Sequence, residues 1–186
     1  MRFMCRLVVG CATLLFCSLA GAAEPPTEPI LRIETGLHTA PIRRIATDAE
    51  SRWLVTASDD KTLRLWDLKK VTILQTLRPP LDEGNIGKLY SVAMSPDGAY
   101  IATGGWTFWD KGTSIYVFQR ATGHMVHHIA DMPNVIYELA WSPDGRYLAA
   151  GLGGKNGIRV FRSGDYAEAD YVVTEAGFGA DLGGEK

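Results

Sequence analysis

The sequence predicts an all-β protein assembled from small, repeated antiparallel sheets. After residue 30, runs of five to seven residues rich in β-branched and aromatic side chains alternate with turn residues, which is the pattern of short strands. One such pattern returns three times at a constant step of 47 residues. No part of this region keeps a 3.6-residue apolar period, so we expect almost no helix.

The first 22 residues are expected to be a secretory signal peptide. Arg2 and Arg6 give a positive start, residues 7–20 are apolar or small, and residues 20–22 offer the small side chains of a cleavage site. This run is shorter than the roughly 20 residues of a membrane-spanning helix. We therefore expect an exported chain, periplasmic or extracellular, with no membrane span in its mature part. A lipidation box at residues 8–11 is the alternative, in which a lipid anchors the chain.

The composition of the remaining chain excludes several classes of function. Cys5, Cys11 and Cys17 all lie in the predicted signal peptide, so the mature chain has no thiol for a disulfide, a nucleophile or a metal. With Arg2 and Arg6 removed, 17 basic residues stand against 21 acidic ones, without the basic clustering of a nucleic-acid binder. We expect no nucleic-acid partner and no cofactor.

The 47-residue repeat is clearest in its second strand and in the turn before it. Residues 52–58 align with residues 99–105 and 146–152. Ser-Pro-Asp-Gly stands at 95–98 and again at 142–145, a turn with proline second and glycine last. Four short antiparallel strands in a repeat of this length are typical of a blade of a β-propeller.

The predicted elements follow one another from a proline-rich spacer at residues 23–29 into a propeller at 30–186. They are a latch strand at 30–35, blade 1 at about 37–78, blade 2 at 84–130, blade 3 at 131–174 and the start of blade 4 at 175–186. In blade 1 we expect strands at 42–47, 53–58, 62–66 and 71–77, and in blade 3 an outer strand at 171–174. Closed propellers have about four to eight blades, so we expect an incomplete ring. The remaining blades would lie in a missing C-terminal part of a longer protein or come from an oligomer.

A resemblance to a known family rests on two motifs. Residues 58–67, Ser-Asp-Asp-Lys-Thr-Leu-Arg-Leu-Trp-Asp, resemble the end of a WD40 repeat, and Gly36-Leu37-His38 resembles the Gly-His pair that opens one. The resemblance implies a structural hydrogen-bonded tetrad in blade 1, with Ser58 as the alternative hydroxyl. Its members would be His38, Thr56, Asp60 and Trp66. A buried indole and imidazole need such partners.

The later repeats depart from this pattern. The tryptophan position becomes Phe118 and then Phe161, and the histidine position becomes Asn85 and then Met132. Ala150 replaces the hydroxyl in the third repeat, so only blade 1 has a full tetrad. Residues 30–161 also resemble exported bacterial WD40 proteins, some of which carry a caspase-like peptidase domain.

The resemblance implies a partner-binding face, formed by the loop before the innermost strand and the loop between the second and third strands. Blade 2 has five extra residues in the second of these loops. We expect its aromatic residues on an exposed tip, where they contact a partner or fold back on the blade. The candidate face consists of Arg43, Asp59, Tyr90, Trp106, Phe108, Trp109 and Tyr137.

The predicted function is a non-catalytic interaction scaffold for a protein or peptide partner. The alternative is the platform of a longer enzyme, a hydrolase, a quinoprotein or a caspase-like peptidase fusion, whose catalytic part is not in this sequence. The inner strands offer no paired acids, which favours the scaffold. His124, His127 and His128 lack a carboxylate at ligand spacing, so we expect a solvated strand there and no metal site.

Overall fold

Three antiparallel sheets follow one another along the chain in the computed structural model, which describes residues 36–109 and 112–169. All described residues belong to one structural unit. They contain strands and turns but no helix, so the predicted all-β class is confirmed. The predicted signal peptide, spacer and latch strand lie outside the described residues, as do the predicted strands after residue 169.

Blade 1 is a four-stranded sheet in sequence order. Its strands are β1 (Ile42–Thr47), β2 (Trp53–Ser58), β3 (Leu63–Asp67) and β4 (Thr72–Leu77). The β1–β2 turn lacks the Ser-Pro-Asp-Gly of the other blades. There, Oδ1 of Asp48 accepts hydrogen bonds from the backbone N–H of Arg52 (2.7 Å) and Trp53 (3.0 Å). A side-chain acceptor thus satisfies the backbone donors of this turn.

Blade 2 has the same plan with one additional short strand. It consists of β5 (Lys88–Met94), β6 (Tyr100–Trp106), β7 (Phe108–Trp109), β8 (Gly112–Gln119) and β9 (Met125–Met132). The sheet runs β5-β6-β8, with β9 on β8 and β7 on the first residues of β8.

The described residues of the blade 2 insertion are mostly strand, where the sequence predicts a loop, although Phe108 is exposed as expected. Trp106 is the last residue of β6, and the insertion continues into β7. Between them, Thr107 is only 1% exposed, and its hydroxyl donates to the carbonyl of Ser114 at 2.5 Å. The extra residues extend the sheet because they are strand formers whose backbone groups find partners.

Blade 3 contributes β10 (Ile136–Trp141), β11 (Tyr147–Leu152) and β12 (Ile158–Arg162), paired in this order. An isolated bridge between Phe161 and Glu168 follows β12. The three sheets of the described residues do not close a ring.

Two apolar layers lie between the sheets. The residues that blades 1 and 2 bury together include Leu63, Leu65, Leu89, Ile101 and Tyr116. Those shared by blades 2 and 3 include Ile115, Val117, Ile136, Leu148 and Phe161. Burying one such side chain stabilises the fold by about 2 kcal/mol. Packing on both faces explains why blade 2 has apolar runs without strict alternation.

The innermost strand of each blade has a β-bulge at the equivalent position. The register with the second strand shifts between Ile42 and Arg44, between Leu89 and Ser91, and between Ile136 and Glu138. The residues left over are Arg43, Tyr90 and Tyr137. A bulged residue has no partner in the strand ladder and its side chain is re-aimed, so each blade presents one side chain at the same end of its inner strand.

Candidate functional site

Blade 1 contains a relay of four polar side chains. The indole N–H of Trp66 donates to Oγ1 of Thr56 (3.3 Å), which lies 2.7 Å from Nε2 of His38. Nδ1 of His38 lies 2.8 Å from Oδ2 of Asp60. A carboxylate can only accept, so Nδ1 of His38 carries the proton that it donates to Asp60. The structure thus brings together all four residues of the implied tetrad.

Asp60 ends this relay as a charged group. Burial by itself would raise the pKa of its carboxyl, but hydrogen bonds from Thr62 and His38 and from the backbone N–H of Thr39 lower it below the ordinary value. The side chains of His38 and Asp60 are only 4% and 6% exposed. The carboxylate is therefore a buried structural acceptor.

Ser58, the alternative hydroxyl, lies outside the relay. It donates to the carbonyl of Ala40 and accepts from the backbone N–H of Asp60, both at 3.1 Å. Ser58 therefore holds the β2–β3 turn, while Thr56 holds the imidazole. The hydrogen bonds of the relay and of Ser58 connect strands and turns of blade 1, so these side chains have a structural role.

Apolar packing stands at the equivalent positions of the other two blades. Phe118 and Phe161 are buried where blade 1 has its tryptophan. Met132 is buried at the histidine position, and Ala150 at the hydroxyl position. Asn85 is exposed in the turn before β5. Blades 2 and 3 thus have mainly apolar side chains at these positions and no polar relay there.

The three bulged residues Arg43, Tyr90 and Tyr137 form a continuous row, here called the bulge row. The rings of Tyr90 and Tyr137 stack at an interplanar angle of 6°, with their centroids 6.0 Å apart. The guanidinium carbon of Arg43 lies 5.6 Å from the centre of the Tyr90 ring, within the range of a cation–π contact. Tyr137, at the other end, is 54% exposed.

Asp59 anchors the cationic end of the bulge row. Nε and Nη2 of Arg43 donate to the two carboxylate oxygens of Asp59 at 2.9 and 2.5 Å. This hydrogen bonding raises the pKa of Arg43. Burial raises the pKa of Tyr90, and the negative charge of Asp59 raises it further. The row therefore presents one guanidinium group and two phenol rings.

Trp106 and Phe108 form a second aromatic pair on blade 2. Their ring centroids lie 6.2 Å apart with a tilt of 43°. Trp106 is half-buried and pairs with Lys88, two residues before Tyr90, whereas Phe108 is 36% exposed. Trp109 lies in β7, and its side chain is outside the described part.

An ion pair between blades 1 and 3 lies beside the bulge row. Nη2 of Arg44 contacts Oε2 of Glu138, and each residue immediately follows a bulged residue. Both side chains are about half exposed. The sequence does not indicate this pair, because its members are 94 positions apart.

A second contact missed by the sequence reasoning joins blades 1 and 2 at the other end of the strands. Trp53 lies between the guanidinium carbons of Arg52 and Arg120, at 4.2 and 3.7 Å from the ring centre. Nε of Arg120 donates to the carbonyl of Gly98 at 2.6 Å. A Cβ on Gly98, whose φ is +71°, would lie 2.6 Å from the Trp53 ring. Glycine, which has no Cβ, is thus required at position 98 for the turn to lie this close to the Trp53 ring.

The histidines of blade 2 lie on or just before the outer strand β9, which is largely exposed to solvent, with His124 and His128 exposed and His127 half-buried. His127 lies 4.5 Å from Tyr166, and His128 stacks on Tyr116 at 5.1 Å. Nε2 of His128 is also 2.8 Å from Oγ of Ser114. His124 precedes β9. In residues 36–109 and 112–169, no group of three or more potential ligands that could hold a metal ion is found.

The described part of the chain also contains no helix with the length and apolarity needed to cross a membrane.

Successive antiparallel sheets with equivalent bulges and shared apolar layers define a repeat protein of the β-propeller type. The sequence matches the WD40 family, described as WD domain, G-beta repeat, over residues 32–67, 74–118 and 112–162. The chain therefore belongs to the WD40 family, as the motifs of its first repeat imply.

The sequence is also similar to Protein HIR1 of Cryptococcus neoformans var. neoformans serotype D, in strains JEC21 / ATCC MYA-565 and B-3501A. Identity is 30% over 67 residues, which is 36% of this chain and 8% of HIR1 in each strain. The chain thus spans a small part of the length of these curated relatives.

Proposed function

We propose that this chain is a non-catalytic scaffold that binds an extended segment of a protein partner across its bulge row. WD40 repeats are in general protein-interaction scaffolds, which supports the class of function. The observation that carries the proposal is the alignment of Arg43, Tyr90 and Tyr137 at three equivalent bulges.

The spacing of the row fits an extended peptide. Tyr90 and Tyr137 are 6.0 Å apart, and Arg43 is 5.6 Å from Tyr90. In an extended strand, side chains on one face recur every two residues, about 6.6 Å apart. A peptide crossing the blades therefore places residues i, i+2 and i+4 opposite the three members of the row.

The chemistry of the row favours apolar and aromatic side chains on the partner. The two stacked tyrosine rings offer apolar ring surface with a phenolic hydroxyl each, and Trp106 and Phe108 add a second aromatic pair on blade 2. Aromatic side chains supply most of the energy at protein interfaces. Arg43 is held by Asp59, so it presents an ordered donor at little entropic cost.

A selection from a displayed random-peptide library tests this proposal. Peptides that bind the full chain are expected to lose about tenfold in affinity with Tyr137→Ala, which removes an exposed ring. Met125→Ala is the control, because Met125 is also exposed, at 46%, but lies on the outer strand β9 of blade 2. Peptides equally sensitive to both substitutions, or to neither, would contradict binding at the bulge row.

We also propose that the scaffold works after export, in the periplasm or outside the cell. The support is the positive, then apolar, then small-residue order of residues 1–22. Expression of the full chain in a bacterial host, followed by fractionation and N-terminal sequencing, tests the idea. An exported product beginning near residue 23 is expected, and an uncleaved cytoplasmic product would refute it.

A further inference from the structure

A cavity lies between blades 2 and 3, at the end of the strands opposite the bulge row. It has a volume of about 230 Å³ and is bordered by the two Ser-Pro-Asp-Gly turns, at 95–98 and 142–145. β5 and β10 each run from their bulge to one of these turns, which places the cavity at the far side of the scaffold. The cavity is thus separate from the bulge row, across which we propose that a peptide binds.

Three aromatic side chains line this cavity, namely Tyr100, Trp141 and Tyr166. The rings of Trp141 and Tyr166 meet edge to face with centroids 6.3 Å apart. His127 packs on Tyr166 from blade 2 at 4.5 Å, which fixes one wall. A cavity of this size accommodates the end of one long side chain but no large cofactor.

Asp97 and Asp144 are the charged members of the lining in the described part of the chain. They occupy the same position of the two turns, and both keep one oxygen engaged locally. Oδ1 of Asp97 accepts from the Ser95 hydroxyl at 2.6 Å, and Oδ1 of Asp144 accepts from the Ser142 hydroxyl at 2.5 Å. The turns thus fix two carboxylates at the edge of an aromatic cavity.

We propose that this cavity binds the guanidinium or ammonium end of a basic peptide side chain, arginine or lysine. Cations are attracted to the faces of tryptophan and tyrosine rings, and two carboxylates add a negative potential. A neutral or anionic group gains neither interaction. The cavity therefore selects for positive charge on an aliphatic stem.

One polar atom favours a peptide over a free amine. The indole N–H of Trp141 is buried and has no acceptor among the described residues. A peptide carbonyl next to the bound side chain supplies an acceptor after a small rotation of the ring, which relieves the cost of an unpaired buried donor. A free polyamine has no such carbonyl.

Arg146 is the internal competitor for this site. Its Nε lies 2.6 Å from Oδ2 of Asp144, but the Arg146 side chain is largely exposed. Exposed ion pairs are weak and exchange readily, so a ligand cation can replace Arg146 at this oxygen. Binding is therefore expected to weaken as salt concentration rises.

Titration of the ¹⁵N-labelled full chain tests the proposal, with the Trp141 indole signal as the readout. The probes are N-acetyl-arginine methylamide, its neutral citrulline counterpart, and agmatine, which has the guanidinium without the peptide groups. A saturable shift with the arginine probe and none with citrulline is expected. Equal shifts with both, or no shift with arginine, would overturn the cation site, and tighter binding of agmatine would overturn the assignment to a peptide.

Charge-removing variants locate the site. Asp97→Asn and Asp144→Asn keep the oxygen that each turn requires, and each is expected to weaken arginine binding about threefold. Asp82→Asn, outside the cavity, serves as the matched control and should leave the affinity unchanged. An affinity that neither cavity variant alters refutes the proposal, and the comparison of arginine with citrulline remains decisive if a variant folds poorly.

Discussion

Tyr90 and Tyr137 occupy the same bulge of successive blades, and their rings stack with centroids 6.0 Å apart at 6°. The two residues are 47 positions apart, one full repeat. The stacking thus joins equivalent positions on the inner strands of neighbouring blades. This relationship ties the surface chemistry of the scaffold directly to its repeat geometry.

The two glycines of the Ser-Pro-Asp-Gly turns should respond differently to substitution. Gly98 and Gly145 have the same φ of +71°, but a Cβ on Gly145 would meet only Pro96, at 3.7 Å. We expect Gly145→Ala to cost about 1 kcal/mol through backbone strain. Gly98→Ala should cost about 3 kcal/mol, because its Cβ also collides with Trp53. Urea unfolding measures both, and equal losses would contradict the close approach of Trp53.

The hydroxyl of Thr56 in the relay should contribute more to stability than the equivalent hydroxyl of Thr103 in blade 2. Thr56→Val removes the hydroxyl that contacts both Nε2 of His38 and the indole N–H of Trp66, so we expect a loss of about 2–3 kcal/mol. Thr103 is also buried, but its hydroxyl donates only to the carbonyl of Ser91, at 2.9 Å. Thr103→Val should therefore cost about 1 kcal/mol. If Thr103→Val were the less stable variant in thermal unfolding, the additional hydrogen bonds of Thr56 in the relay would not add to the stability of the protein.

The charge of Asp60 should make a contribution to stability that depends on pH. The pKa of Asp60 in the folded protein lies below its ordinary value of 3.8, so the ionised carboxylate stabilises the fold above that pH. This contribution is lost as the pH falls through the folded pKa. Asp60→Asn should thus destabilise the protein by about 1–2 kcal/mol at pH 6 and by much less at pH 2. Chemical unfolding at both pH values checks this, and a difference that does not shrink in acid would be inconsistent with it.

Phe108 should affect binding more than it affects the stability of the fold. Its side chain is 36% exposed on the short strand β7, so Phe108→Ala should reduce the affinity for a selected peptide about threefold and lower the melting temperature less than Trp106→Ala does. Trp106→Ala removes a half-buried ring and should lower both. Val71→Ala, at a 79% exposed position in blade 1, is the control for loss of apolar surface. A peptide affinity unchanged by Phe108→Ala would remove β7 from the binding surface.

Local signals were sufficient for much of the fold. The bounds of β1 and β2 follow from Asp-Ala-Glu-Ser at 48–51 and Asp-Asp-Lys at 59–61, which are turn formers on either side of apolar runs. The residues of the relay followed from the resemblance to the WD40 motif. In both cases the information lies within one repeat.

Features that depend on contacts between blades were not predictable in this way. The bulges appear only once the register of two strands is known, and the approach of Arg120 to Trp53 requires the packing of two sheets. In the blade 2 insertion, Trp106, Thr107 and Phe108 are compatible with a loop or a strand. Backbone pairing with β8, not composition, decides that they form part of the sheet.

In each blade, the bulged residue that is displayed at the surface is distinct from the residues that form the strand ladder and the core. A residue inside the strand ladder has neighbours on both sides that constrain its size and shape, whereas a bulged residue has no cross-strand partner. Substitutions at positions 43, 90 and 137 can therefore change the side chain offered to a partner while the cores remain as they are. Duplication of one repeat copies a display position together with its support, so a new specificity can arise from a single codon in an existing blade.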